Sequence, residues 1–353
     1  MLHWDPDPTI FFIPYLHWPI RWYGLFFASG FILGFPLFVS LLRRFFFFHP
    51  KYIEEEILCP HQMSAFGKSL HTILKGLNHQ ITDGVLRALS AKIKKFVTQS
   101  HCPHPAQVLS RLGLDRELGP RVLGLYRKAT MLTDRFVLYM LLGTVIGARL
   151  GHLFFYEDPS RYWGNFREIV STWEGGLASH GAAIGIMIAL LIFRYRIRKI
   201  APTLTWMRLL DFVSIPTALC GCFIRIGNFF NQEIVGTPSM LFWAVTFGHP
   251  LDGSPAIPRH PVQLYEAAIY LSIFCLLWRL SYLPRIFAVP GRLIGLFLIL
   301  VFGSRIGIEF FKLEQSDLTL FTNLTMGQIL SIPLVFIGIY FCFHNKVKIL
   351  LLR

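Results

Sequence analysis

Hydrophobic and polar positions divide this chain of 353 residues into seven apolar runs separated by polar stretches. The runs cover roughly 20–42, 135–156, 176–193, 209–226, 264–283, 291–311 and 326–344. At about 1.5 Å of rise per residue, a helix of each length crosses a hydrocarbon core of about 30 Å. The pattern therefore predicts an all-α polytopic membrane protein with seven transmembrane helices and its two termini on opposite sides. Residues 49–128 read differently. Stretches such as "SLHTILKGLNHQITDGVLRALSAKIKKFV" place apolar residues at helical spacing with Lys and Arg between them, predicting helices that lie on a membrane surface or against the cytoplasmic face. Three parts follow: 1–48 with the first helix, the basic, His-containing insertion 49–128, and 129–353 with the other six helices.

Composition agrees with a membrane chain. Hydrophobic residues make up 54% and charged residues only 15%, against about 25% charged in soluble domains. The charge fixes an orientation. The segment 43–135 holds 15 of the 34 Lys/Arg, with more in 194–208, 279–292 and the tail from 346. The positive-inside rule puts these loops in the cytoplasm, so the N-terminus is expected outside and the C-terminus inside. Because the +14 net charge resides mostly in these loops, nucleic-acid binding is a poor reading of it. The opening "MLHWDPDPTIFF" lacks a basic n-region, so the first helix is expected to stay as an anchor.

The six cysteines suggest no disulfide framework: Cys59 and Cys102 fall on the reducing side, and Cys220, Cys222, Cys275 and Cys342 lie in apolar runs. "CPH" (59–61) and "HCPH" (101–104) match no standard zinc spacing, and their prolines read as turn markers. No metal or cofactor is expected. No internal repeat appears, which argues against a carrier.

Candidate chemistry emerges from depth. Counting along the helices puts Arg149 about 10 Å, His180 about 6 Å and Arg305 about 9 Å below the outer surface. Arg225 ends the fourth run, with Asn228, Asn231 and Glu233 just beyond, and Glu309 lies near the end of the sixth. A charge at the bilayer centre costs about 2.5–3.5 kcal/mol on insertion scales, less near the interface. Snorkelling explains a single arginine. Convergence of several on one slab points instead to a polar cavity. The small residues of "GTVIGARLGHLFFY" (143–156) and "EGGLASHGAAIG" (174–185) leave space beside Arg149 and His180. Cations exceed acids there, and the Arg fork matches phosphate oxygens. No Walker loop, Asp-rich magnesium motif or G-x-S-x-G elbow is present. The residues alone read as an enzyme or binder of anionic phospholipid working from the outer side.

Six motifs in order then carry a resemblance: "GARLGHLFFY", "EGGLASHGAAIG", "RIGNFFNQE", "RHPVQLYEA", "GSRIGIEFFK" and "MGQILSIP". Together they resemble bacterial prolipoprotein diacylglyceryl transferases over about 9–48 and 129–345. The resemblance implies transfer of the diacylglyceryl group of phosphatidylglycerol to the lipobox cysteine of a prolipoprotein signal peptide. It implies a thioether product, glycerol phosphate as by-product, and a site in the bacterial inner membrane facing the outer leaflet. It assigns phosphate binding to Arg225 and makes Arg305 the second essential cation. His180 becomes the candidate for thiol activation, with His260 the alternative base, and Tyr23 of "RWYG" matches a tyrosine important for activity. Asn228, Asn231, Glu233 and Gly236 would position the head group, with Arg149, His260, Gln263, Tyr265, Glu266 and Glu309 as further substrate contacts. Glu309 either orients Arg305 or is structural; Asp211 is expected to cap the fourth helix. A non-catalytic lipid or signal-peptide binder that keeps the fold is the alternative.

This chain departs from the family's common pattern at Arg21, Lys312, Gln232, Gln315 and Ala148, where His, Arg, Gly, Asp and Gly are frequent. The insertion 49–128 exceeds the usual short loop.

Overall fold

A computed structural model describes residues 2–15, 18–48, 115–157, 169, 178–313 and 324–344. Most of the insertion, with Cys59 and Cys102, lies outside the described residues. The elements run β1 (Leu2–Trp4), β2 (Thr9–Ile13), β3 (Trp18–Arg21), α1 (Trp22–Phe48), α2 (Asp115–Phe155), α3 (Ser179–Ile197) and α4 (Trp206–Phe230). They continue with β4 (Val245–Phe247), β5 (Pro258–Arg259), α5 (Val262–Leu280), the short α6 (Pro284–Phe287), α7 (Arg292–Ile308), a 3₁₀ turn (Glu309–Phe311) and α8 (Met326–His344).

Every expected span is a helix, and six are long and apolar enough to cross a membrane: Trp22–Phe46, Tyr126–Phe155, His180–Ile197, Trp206–Phe230, Arg292–Phe311 and Met326–His344. The expected fifth span, α5, is not among the six, because Gln263, Glu266, Arg279 and its Tyr and Trp dilute its apolar character. Two further differences stand out. α2 begins at Asp115, within the expected insertion, rather than at 135. Two small sheets interrupt the helical architecture: β1–β4–β5, with β1 parallel to β4 and β4 antiparallel to β5, and the β2–β3 hairpin.

The chain divides into two compact units, Met1–Arg121 with Leu210–Arg353, and Val122–Leu209. In the first, buried Phe38 and Phe45 meet Phe212 edge-on, and Phe212 stacks on Phe287. Away from this aromatic core, Phe229, Val235, Val245 and Phe247 form a smaller core, closed by Trp4 and Leu313. The N-terminal strand therefore packs at the end of α4.

Asp211 is fully buried near the start of α4, yet it caps a different helix. The N-cap of α7 is Gly291, at φ 93°, which has no side chain to accept the free N–H groups of the first turn. Asp211 supplies both acceptors: Oδ2 takes the Gly291 N–H at 2.8 Å and Oδ1 the Ile294 N–H at 3.0 Å. The carboxylate also suits the positive end of the helix dipole. Replacing Asp211 with Ala is expected to destabilise the protein by about 2–4 kcal/mol, read as a lower melting temperature in detergent.

In the second unit, α2 and α3 touch backbone to backbone. A Cβ placed on Gly147 would lie 2.5 Å from the Gly181 carbonyl oxygen, and one on Gly151 2.6 Å from the Gly181 Cα. The Ala178 N–H donates to the Ala148 carbonyl at 2.9 Å. An apolar cavity of about 560 Å³ runs along the same two helices.

Candidate active site

The end of α4 carries the site. α4 closes on Phe230, and the chain then turns sharply through Asn231, Gln232, Glu233 and Ile234. Gln232 and Ile234 both adopt the left-handed region, at φ 53° and 54°. Such a conformation is costly, above all for β-branched Ile234. It turns Glu233 back over the last turn of α4, so that its N–H reaches the Asn228 carbonyl at 2.9 Å.

Side chains then chain together. Arg225 Nη1 donates to Asn228 Oδ1 at 3.2 Å, and Asn228 Nδ2 donates to Glu233 Oε2 at 2.9 Å. Asn231 Nδ2 donates to the other Glu233 oxygen at 2.6 Å. Gln263 Nε2 reaches from α5 to the Glu233 carbonyl at 2.6 Å. Tyr23 belongs to the same group. Gly227 lets the ring approach, since a Cβ there would meet Tyr23 Cδ2 at 2.9 Å, and the phenol lies within electrostatic reach of Glu233 and Arg225.

A carboxylate lies at the centre. Glu266, 1% exposed on the first turns of α5, sits 2.9 Å from Arg225 Nε through Oε2 and accepts from Lys312 Nζ at 2.9 Å through Oε1. Lys312 also lies 3.5 Å from Glu309. One buried carboxylate thus neutralises two cations from different parts of the chain. Burying any of the three alone would be costly.

Arg305 differs. Among the described residues its guanidinium has no ion pair or hydrogen bond, and the expected Glu309 partner is engaged by Lys312 instead. Tyr270 relates Arg305 to the rest, because its phenol lies within electrostatic reach of both Arg225 and Arg305. The formal charge of this cluster is balanced, with Arg225, Arg305 and Lys312 against Glu233, Glu266 and Glu309. The cluster thus has no net cationic excess, and the uncommitted guanidinium of Arg305 is the group best suited to take an anion. Besides the ion-paired oxygens of Glu266 and Glu309, the buried acceptors Asn231 Oδ1 and Gln263 Oε1 have no donor among the described residues. Buried polar atoms are normally satisfied, so these two are suited to hydroxyl donors of a ligand.

His260 and Tyr265 form a second chain beside Gly236, where an added Cβ would run into the His260 carbonyl oxygen. Trp243 Nε1, a donor only, gives its proton to the Tyr265 hydroxyl at 2.7 Å. The same hydroxyl lies 3.3 Å from His260 Nδ1.

His180 and Arg149 belong to the second unit. His180 is exposed in the first turn of α3, with its ring 5.0 Å from Phe155 and 5.6 Å from Tyr156. Arg149 Nε donates to the Ile169 carbonyl at 3.0 Å. The first unit thus brings together Tyr23, Arg225, Asn228, Asn231, Glu233, Gln263, Glu266, Arg305 and Glu309. Sequence reasoning missed Tyr270, although it follows Glu266 by four residues and so shares its helix face.

A profile of the prolipoprotein diacylglyceryl transferase family matches residues 111–344. A phosphatidylglycerol–prolipoprotein diacylglyceryl transferase of Protochlamydia amoebophila is 37% identical over 360 residues, 96% of this chain and 93% of that protein. The chain belongs to the prolipoprotein diacylglyceryl transferase family. Among other members, proteins of the same description from Tolumonas auensis and Chloroherpeton thalassium are 45% and 42% identical over 206 and 211 residues. Those matches take in 58% and 59% of this chain and 76% and 74% of each relative. Coverage of 96% leaves too few residues to exclude the 49–128 stretch from the match with the Protochlamydia family member.

Proposed function

We propose a chemistry for this site that builds on the activity of the family. The chain is a transferase that moves a diacylglyceryl group from phosphatidylglycerol to prolipoprotein in lipoprotein maturation. In our reading the acceptor is the lipobox cysteine of the signal peptide. Its sulfur forms a bond to the glyceryl carbon as the bond from that carbon to the phosphate oxygen breaks. The thiol proton passes to a base, and glycerol phosphate leaves with the electron pair. A thiol near pKa 8.5 is a weak nucleophile until deprotonated, and the departing phosphate needs cations around it.

Arg305 carries this reading, because it is the cation whose guanidinium is free to take phosphate oxygens. Arg225 lies with it in electrostatic reach of the Tyr270 phenol, while Glu266, itself paired with Lys312, holds Arg225 in place. Asn231 Oδ1 and Gln263 Oε1 accept from the hydroxyls of the glycerol head group, which a bare phosphate could not supply. His180 remains the proposed thiol base, with His260 the alternative. Tyr23 packs beside Glu233 and frames the head group, and Arg149 and Glu309 remain supporting contacts.

The topology we propose has seven spans, counting α5, with the N-terminus outside and the site facing the outer leaflet of the bacterial inner membrane. In the first unit β1, the end of α4, the start of α5 and the end of α7 share one end, opposite the Asp211 cap. Residues 49–128 then form a cytoplasmic insertion into which α2 extends, between the 1–48 segment and the 129–353 core.

The test uses membranes containing phosphatidylglycerol and a lipobox peptide. Thioether and glycerol phosphate are expected in equal amounts. Lipid binding without release of glycerol phosphate would instead identify a non-catalytic binder.

A further inference from the structure

We propose that Gln232 is a positioning residue that ties the head-group loop to the N-terminal strand, so that Trp4 and Asp5 hold Asn231 and Glu233 ready for lipid. This inference rests on the proposed function of that loop. Gln232 lies between the two residues whose side chains meet, at a backbone conformation that favours glycine. Its own side chain makes good use of the position. Nε2 donates to Asp5 Oδ1 at 2.9 Å, and Oε1 accepts the His249 N–H at 2.8 Å. Its carbonyl accepts the Leu251 N–H at 3.1 Å. Gln232 is only 4% exposed, while the side chain of its partner Asp5 stays 32% exposed.

The N-terminal strand grips the same loop from a second direction. Trp4 Nε1 donates to the Phe229 carbonyl at 3.1 Å, and its ring stacks on Phe229 at 4.7 Å and meets Phe230 edge-on at 5.2 Å. β1 is in turn fixed in register to β4, with Trp4 opposite Phe247, and the Trp4 carbonyl accepts the Gly248 N–H at 3.0 Å. Asp5 accepts a second bond from His249 Nδ1 at 2.8 Å, and the bonds from His249 and Gln232 hold its carboxyl below the usual range. Of the four residues between Asn228 and Glu233, Phe229, Phe230 and Gln232 are thus held by Trp4, Asp5 and the 248–251 loop. Asn231 and Glu233 flank the tie directly, so loosening it displaces the groups that meet the head group.

The experiment exploits the backbone. Gln232→Gly removes both side-chain bonds while relieving the left-handed strain, so a residue with only a structural role would tolerate it. Positioning predicts a rise in KM for phosphatidylglycerol of about tenfold, with the KM for the lipobox peptide and the melting temperature unchanged. Asp5→Ala cuts the same tie from the other side and is expected to give the same signature. The double variant should be no worse than either single one, because both remove one link. Wild-type KM for phosphatidylglycerol in either folded single variant overturns the inference. Absence of glycerol phosphate release by the wild type would overturn the proposed function instead, and lipid-dependent thermal shifts of the three variants would still read the tie.

Discussion

Arg305→Ala is expected to lower kcat/KM by about 10²–10³-fold, as loss of one preorganised electrostatic group does, while the melting temperature stays unchanged. The two halves of that expectation have one cause. Arg305 has no carboxylate partner among the described residues, so its removal strands no buried charge. In the proposed mechanism its guanidinium is left to meet the phosphate that accumulates charge as the carbon–oxygen bond breaks. Arg305→Lys should recover only part of the rate, because an ammonium keeps the charge and loses the two-pronged geometry. Single-turnover assays with saturating peptide, beside melting curves in detergent, separate the effects. A large loss of stability with little loss of rate would show that Arg305 is a structural residue.

Glu266→Gln is expected to do the opposite first. Its carboxylate neutralises Arg225 and Lys312 in a place where neither can reach water freely. Removing the charge leaves two cations confronting each other across an amide, at a cost of about 3–5 kcal/mol. Melting curves should show this loss before any assay is run, and activity should fall because Arg225 is no longer held. Adding Lys312→Met removes one of the orphaned cations, so the double variant should be more stable than Glu266→Gln alone. Additive losses would show that the three residues do not act as a unit.

The apolar runs were legible because a membrane-crossing helix must be uniformly apolar over a fixed length, and α8 falls on its expected bounds, 326–344. The start of α2 was not legible. Residues 115–125 carry charge, and a helix outside the hydrocarbon leaves no such signature. Nor were β1, β4 and β5, each two or three residues long, since strands that short show no alternation to read.

Within the site, the motifs pointed to Arg225, Asn228, Asn231 and Glu233 because they crowd one helix end. Which charge meets which was hidden. Arg225, Glu266 and Lys312 are far apart in sequence, so their meeting depends on tertiary packing. Helical spacing suggested Glu309 for Arg305, yet Lys312, three residues from Glu309, lies at hand. Asp211 was expected to cap its own helix and instead caps α7, because Gly291 leaves that helix without an acceptor. Gln232 stood out only as a departure, and its tie to Asp5 needs coordinates to be seen.

The glycine ladder of α2 and α3 has a mechanical corollary. Gly143, Gly147 and Gly151 recur every four residues, as do Gly181 and Gly185, so a stripe of this kind would by itself tolerate sliding by one turn, about 5.4 Å. The next steps of the α2 stripe are Tyr139 and Phe155, whose rings already abut Phe193 and His180. A slip in either direction would drive a glycine of α3 into an aromatic ring. These two rings act as end stops: they fix the alignment of the helices, and with it the height of the His180 imidazole along the neighbouring helix.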